Sequence, residues 1–252
     1  MQRVGVYVDG FNLYYGGVSL LGRHAVGWKW LDIRGLARYL IDGRPEANWA
    51  GSPIHRVVYC TATIDSRSNA SGYARQQTLL KALQASKSID QIEYGNFVSR
   101  VKNAPLATPD PKTGRPIITN PAWPVMIQDP NGTHLPTSVF LVSHAYREEK
   151  GSDVNLASHL LIDVLGNSID AAVLISNDSD LALPVRQART RVPVGVVNPN
   201  RNFTAGRLLA SPAVGVGGHW WRQLVAADFA GHQLPDPVHS PRGPAYAKPT
   251  GW

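Results

Sequence analysis

Four aspartates fall where apolar runs begin or end. Asp9 closes "RVGVYVD", Asp153 opens "DVNLASHLLIDVLG", and Asp178 and Asp180 follow "DAAVLIS" in the stretch "NDSD". Charge at the point where a buried strand meets a helix is costly unless something cationic offsets it. Neither histidine nor thiolate is grouped with these acids, so the expected partner is a divalent cation with oxygen ligands, Mg²⁺ or Mn²⁺. Taken singly, each acid has an ordinary role: Asp9-Gly10 as a turn, Asp153 as a helix cap, Asp178 and Asp180 as negative charges at a helix start. Their weight comes from falling together on one expected rim.

The elements that must position them can be read from apolar period. Valine-rich or continuous apolar runs predict strands over 3–8, 54–64, 90–101, 138–145, 170–176 and 192–197. Helical spacing predicts helices over 31–41, 70–86, from Asp153 to Gly166, and from about Asp180 to Arg189, with Pro184 tolerable only in a first turn. In the third of these the apolar stripe is Val154, Ala157, Leu161, Val164 and Leu165, with Ser152 or Asp153 as the cap. Strands alternating with helices predict an α/β sandwich with a mainly parallel central sheet, in which ligands bind outside the carboxyl ends of the strands. Short connections would bring all four aspartates to that edge.

Two segments break the pattern. Residues 103–137 hold eight of the nineteen prolines, which excludes a continuous helix or central strand and suggests an insertion of loops or edge hairpins, with Asn131-Gly132 a turn signal. Residues 233–252 are rich in proline and poor in aliphatic side chains, the composition of a flexible tail. One domain over 1–232, carrying the insertion, is the expected organisation.

The totals narrow the function classes. Net charge is +7 among 252 residues, which favours an anionic partner such as nucleic acid. The single cysteine, Cys60, excludes an internal disulfide and a cysteine zinc site and reads as a buried strand residue. No apolar run approaches a membrane span, so the expectation is a cytoplasmic protein without a membrane partner. The sequence leaves the oligomeric state open, a homo-oligomer included.

Three motifs, "YVDGFNLYYG" (7–16), "EKGSDVNLASHLL" (149–161) and "DAAVLISNDSDLALPV" (170–185), resemble the NYN domain of the PIN-like nuclease superfamily, the group that includes LabA/DUF88 proteins. The resemblance covers about 1–200 and leaves the insertion and the C-terminal part unexplained. It implies a PIN-like three-layer α/β/α sandwich and metal-dependent phosphodiester cleavage, most often of RNA. Carried over by position, it implies Asp9, Asp153, Asp178 and Asp180 as catalytic metal ligands, with Asn12 beside them and Lys150 ahead of Asp153. The family often has glycine where this chain has Asn177.

The expectation is therefore a Mg²⁺- or Mn²⁺-dependent hydrolase, a nuclease of RNA in preference to DNA. Asn12 would orient water or a ligating carboxylate, and Lys150 and Asn177 would face a phosphate. Basic residues would guide an RNA substrate, among them Arg75 on the second long helix and Arg186, Arg189 and Arg207 after the acidic motif. Tyr14, Tyr15, Trp28 and Trp30 are candidate stacking surfaces for bases. A catalytically silent nucleic-acid-binding or regulatory module and a DNA-cleaving nuclease remain as alternatives. An aspartyl-phosphate phosphatase fits poorly, because Phe11 stands where a second aspartate is needed. "VGVGGHWW" only loosely echoes a dinucleotide loop, and it does not follow the first strand.

Overall fold

The computed structural model describes residues 2–43, 49–119, 128–135, 141–240 and 243–252. Parts of the proline-rich segment, 120–127 and 136–137, and the start of the expected 138–145 strand, 138–140, lie outside these.

In chain order the elements are β1 (Val4–Asp9), α1 (Gly10–Leu21), α2 (Ile33–Asp42), β2 (Ile54–Ala62), α3 (Ala70–Ala85), β3 (Gln91–Pro105), β4 (Ala107–Pro109), β5 (Pro116–Ile118), β6 (Leu141–Lys150), α4 (Ser152–Leu165), β7 (Ala171–Ile175), α5 (Ala182–Ala188), β8 (Val194–Asn198), β9 (Trp220–Gln223) and α6 (Ala226–Gly231). Seven strands form one sheet in the order β6-β3-β2-β1-β7-β8-β9. β1 pairs in parallel with β2 on one side and β7 on the other, and β2–β3, β7–β8 and β8–β9 are also parallel. The expected α/β architecture with a mainly parallel sheet is observed.

Alternation along the strands fills a core on each face. Val4, Val6 and Val8 of β1 join Ala171, Val173 and Ile175 of β7 in one core, under α1, α2, α3 and α6. Tyr7, Ala172 and Leu174 face the other, under α4 and α5. β1 and β7 are buried on both sides, which is why their sequences read as unbroken apolar runs. Cys60 is buried on β2, as expected.

Three details differ from the sequence reading. Asp9-Gly10 is not a free turn: Asp9 caps α1, its Oδ1 accepting the Asn12 N–H at 2.9 Å. α1 has no clear signature in the sequence because Gly16 and Gly17 weaken its helical pattern, yet a Cβ at Gly16 would lie 2.4 Å from the Pro199 carbonyl oxygen, so the close packing needs glycine there. In α4 the buried face is Leu156, Leu160, Asp163 and Val164, while Val154 and Leu165 are 67% and 61% exposed. The buried stripe differs from the apolar spacing because Asp163 is a core residue. Its carboxylate accepts the Tyr7 hydroxyl at 2.7 Å and both its oxygens accept from Arg56 Nη1, at 3.0 and 3.1 Å. A paired acid can occupy a buried helix face that spacing rules assign to apolar residues.

The expected helix over 180–189 divides into a 3₁₀ turn, Ser179–Leu181, and α5, with Pro184 in the first turn of α5. The last twenty residues, whose composition suggests a flexible tail, carry apolar groups into the core: Leu234, Val238 and Trp252 are buried. Trp30 Nε1 donates to the Pro235 carbonyl at 3.0 Å, and Val238 and Tyr246 exchange backbone hydrogen bonds.

The chain divides into two compact units, residues 1–97 with 149–252, and residues 98–148. The second contains the outer stretches of β3 and β6 and the antiparallel β4–β5 hairpin. Within it, Ser143 Oγ donates to Asn103 at 2.6 Å and the Lys102 ammonium lies 3.6 Å from the Tyr146 ring centroid. No helix among the described residues is long and apolar enough to cross a membrane.

Candidate functional site

The first unit holds the expected acidic rim. β1 and β7 leave the sheet side by side, and strand order departs in opposite directions from that pair, the place where open parallel sheets bind ligands. Asp9 ends β1 and is 5% exposed. Its Oδ2 accepts the Ser176 hydroxyl at 3.0 Å, and Ser176 Oγ in turn accepts the Asp178 N–H at 3.1 Å. Asp178 caps the 3₁₀ turn, its Oδ1 accepting the Asp180 N–H at 2.9 Å. Asp180 points outward and is exposed.

Asp153 lies in the first turn of α4. Neither it nor Ser152 is the cap, which is Gly151 at φ 98°, a conformation that favours glycine. Glu149, unassigned in the sequence reading, takes the capping role: its carboxylate accepts the Ser152 N–H at 3.1 Å and the Ser152 hydroxyl at 2.8 Å. This turn is pressed against β3, where a Cβ at Gly95 would lie 2.3 Å from Glu149 Oε1 and 2.9 Å from the Ser152 nitrogen. The acid-acid-Lys run before Gly151 was the available signal for Glu149. Nothing local indicated which of Glu148 and Glu149 turns inward.

Electrostatics bind these groups into one site. Burial, chiefly, pushes the Asp9 carboxyl above its ordinary range, with Asp178 and Glu149 adding to the effect against the bonds from Asn12 and Ser176. Asp153 is pushed up to about 6, by burial first and then by Asp9, Asp178, Glu149 and Asp180. Cys60, beneath them, is pushed up to about 12 by burial and by Glu93, Asp9 and Asp153.

The remaining expected residues separate. Asn12 belongs to the rim as a brace: its Oδ1 accepts the Asn177 N–H and Asn200 Nδ2, both at 3.0 Å. Asn177 holds its own loop, donating to the Phe203 carbonyl at 3.2 Å and accepting the Ala205 N–H at 2.7 Å. Lys150 is the exposed last residue of β6, and Arg75 is exposed on α3. Trp28 and Trp30 are core residues, 3% and 0% exposed, so they offer no stacking face, whereas Tyr15 is 53% exposed. Arg186 is exposed on α5 and lines a cleft of about 600 Å³ that begins at Ser179 and Asp180 and also includes Leu183, Arg207 and Leu209. That volume suits a small organic ligand. A cavity beside Tyr14, Trp28, Tyr59 and Trp252 is only about 50 Å³. It is below the roughly 150 Å³ that admits a benzene ring.

Fold and site thus define an α/β protein with an acidic rim beside a basic-lined cleft. Along its length the chain is 30% identical to 6-hydroxy-3-succinoylpyridine 3-monooxygenase HspA of Pseudomonas putida, over 99% of this chain and 75% of that one. It belongs to the family of that enzyme. No family model matches it. A crystal structure of a protein of unknown function from Vibrio parahaemolyticus is similar over 92% of this chain and 96% of that one, at TM-score 0.44 and 13% identity.

These findings correct the expectations drawn from the NYN and PIN-like resemblance. The family is named for a monooxygenase, an oxidoreductase, so a metal-dependent nuclease or hydrolase of RNA or DNA is not supported, nor is a silent nucleic-acid-binding module. The Mg²⁺ or Mn²⁺ expectation is corrected too: among the described residues no group of three or more His, Cys, Asp or Glu side chains is placed to hold a metal ion. The physical reason is local. Asp9 engages one oxygen with Asn12 and the other with Ser176, and Asp178 commits an oxygen to its own turn. The acids shared by the three motifs follow from where a parallel sheet places its loops, and that placement does not fix chemistry.

Oxygenation by O₂ calls for an oxygen-activating group, and a reduced flavin is one. The turn after β1 does not fit the pyrophosphate of a flavin dinucleotide. Asp9 puts negative charge where such a turn offers backbone N–H groups, and the G-x-G-x-x-G spacing is missing. A Cβ at Gly10 would stand 2.6 Å from the Tyr59 ring, so that side chain already fills the approach.

Proposed function

We propose that the chain is a monooxygenase that delivers one oxygen atom from O₂ to a hydroxylated pyridine-type ring bearing an acyl side chain. The observation that carries this reading is the 30% identity maintained over 99% of the chain to an enzyme of that activity. The balance requires one O₂, two electrons from an external reductant and two protons, with the second oxygen leaving as water.

What the chain's own residues contribute follows from the rim and the cleft. A ring hydroxyl pushes electron density toward the para carbon most strongly once its proton has left. The group suited to accept that proton near neutral pH is Asp153, whose carboxyl is raised to about 6, close to the working range of a general base. Burial, and then the charges of Asp9 and Asp178, sustain that raised value, and Glu149 anchors the turn that presents Asp153. The cleft starting at Asp180 has the volume for the ring, with Leu183 and Leu209 as apolar walls.

The test is turnover of 6-hydroxy-3-succinoylpyridine by the purified chain under ¹⁸O₂, with NADH supplied as the two-electron reductant and FAD as an electron carrier. The expected result is one ¹⁸O atom in the organic product. Label arriving only from H₂¹⁸O, or no product with any reductant, would overturn the reading.

A further inference from the structure

Arg189 is the residue on this surface that the mechanism above leaves unexplained. It follows α5 and is 4% exposed. Its Nη2 donates to the Leu208 carbonyl at 2.8 Å, while its Nε has no hydrogen-bond partner among the described residues. Among the described residues no carboxylate pairs with it. The end of a helix favours a cation only modestly. A buried guanidinium with an idle donor is otherwise costly, and such a group calls for an explanation. Burial also lowers its pKa, the sign of a cation held without a counter-charge.

Its surroundings offer a place for a counter-charge. Arg189 lines a cavity of about 200 Å³ together with Arg186, Arg207 and Leu209. Arg186, Arg207 and Leu209 also line the larger cleft that starts at Asp180. The two spaces therefore adjoin, acidic at one end and basic at the other. Arg186 and Arg207 are exposed and likewise lack an ion pair among the described residues. Three arginines line the smaller cavity, whose lining holds no acid, and guanidiniums suit a planar oxyanion, which they bind through paired N–H donors.

We infer that Arg186, Arg189 and Arg207 form an anion pocket that takes the terminal carboxylate of the substrate's acyl chain and so directs the ring toward the Asp180 end of the cleft. This rests on the monooxygenase reading for the identity of the anion. A succinoyl chain ends in a carboxylate a few bonds from its ring, and a cleft that is acidic at one end and basic at the other would orient such a molecule in one sense only. A cofactor phosphate shares the oxyanion chemistry and is the competing source.

The experiment reads binding alone, so it stands apart from turnover. The full chain is titrated calorimetrically with succinate, with succinamide and with inorganic phosphate. Succinate is expected to bind, succinamide to bind about tenfold more weakly or not at all, and phosphate to fail to displace succinate at equal concentration. Arg186→Gln and Arg207→Gln, both at exposed positions, should each weaken succinate by about tenfold. Arg189→Met should abolish binding while the unliganded protein melts at the same temperature or higher, since an unpaired buried charge has been removed. Equal binding of succinate and succinamide, displacement by phosphate, or succinate binding unchanged in the exposed variants would each overturn the pocket. Failure of the ¹⁸O experiment with succinate still bound would instead overturn the activity and leave the anion pocket standing.

Discussion

Ser176 donates its hydroxyl to Asp9 at 3.0 Å, across 167 residues of sequence, and so ties together the ends of the two central strands. The same oxygen of Ser176 receives the Asp178 N–H. The loop after β7 is thereby held against the start of α1, and Asp178 stays close enough to add to the raised pKa that burial gives Asp9 and Asp153.

Asp153 gives the site a pH dependence of definite sign. Its folded pKa, about 6, stands above the ordinary carboxylate value near 3.9. The protonated form is thus favoured by folding. The contribution is complete below about pH 4 and disappears as pH rises through about 6, so above that the ionised rim strains the fold. Asp153→Asn should raise the melting temperature at pH 8, and the gap from wild type should narrow below pH 6 and close only near pH 4, measured by scanning fluorimetry across pH. Oxygenation should follow the opposite course in wild type, rising as pH passes about 6, and should be nearly absent in Asp153→Asn.

Asn12→Ala should loosen two loops at once. The substitution leaves the Asn177 N–H and the Asn200 amide without their shared acceptor. A loss of about 1–2 kcal/mol is expected in urea unfolding, the scale of a lost buried hydrogen bond. Hydrogen exchange should accelerate at 177–181 and 199–203 and remain unchanged along β2.

Asp163→Ala should be the most destabilising single change at a charged position away from the rim. It strips Tyr7 of its acceptor and Arg56 of both carboxylate oxygens beneath α4. About 3 kcal/mol is expected, near the lower end for breaking a buried pair because Arg56 is partly exposed. Chemical unfolding of the variant checks this, with Tyr7→Phe expected to cost less because the ion pair survives.

Gly95→Ala tests the packing that positions Asp153. The added methyl would meet Glu149 Oε1 at 2.3 Å and the Lys150 carbonyl oxygen at 2.7 Å, and backbone at that distance must move. A loss of about 1–3 kcal/mol is expected, as for other overpacked sites. The raised pKa of Asp153 should fall toward its ordinary value as the turn opens, which carboxyl chemical shifts followed through a titration would report.

Much of the architecture is legible in the chain order of residues. "RVGVYV" and "DAAVLIS" are strands buried on both faces, and unbroken apolar runs of that length record this directly. The four aspartates are legible for a related reason, since a parallel sheet delivers the end of each strand to one edge and the acids follow or precede those ends. What they do was not legible. An acid at that edge is placed by topology, and the same placement serves unrelated chemistries, which is how three motifs resembling a nuclease came to stand in the family of a monooxygenase.

Tertiary structure decided the rest, for reasons of distance. Asp163 reads as a surface position on α4 until Tyr7 and Arg56, more than a hundred residues away, are seen to satisfy it. Arg189 reads as one of several surface cations, and only folding shows it buried beside a cavity that Arg186 and Arg207 also line. Local period can report which face of an element is apolar, but the cost or value of a polar group depends on partners that the fold alone brings near. The positions of the acids therefore belong to the sequence, whereas the raised pKa of Asp9 and Asp153 and the basic pocket beside the rim belong to packing between segments far apart in the chain.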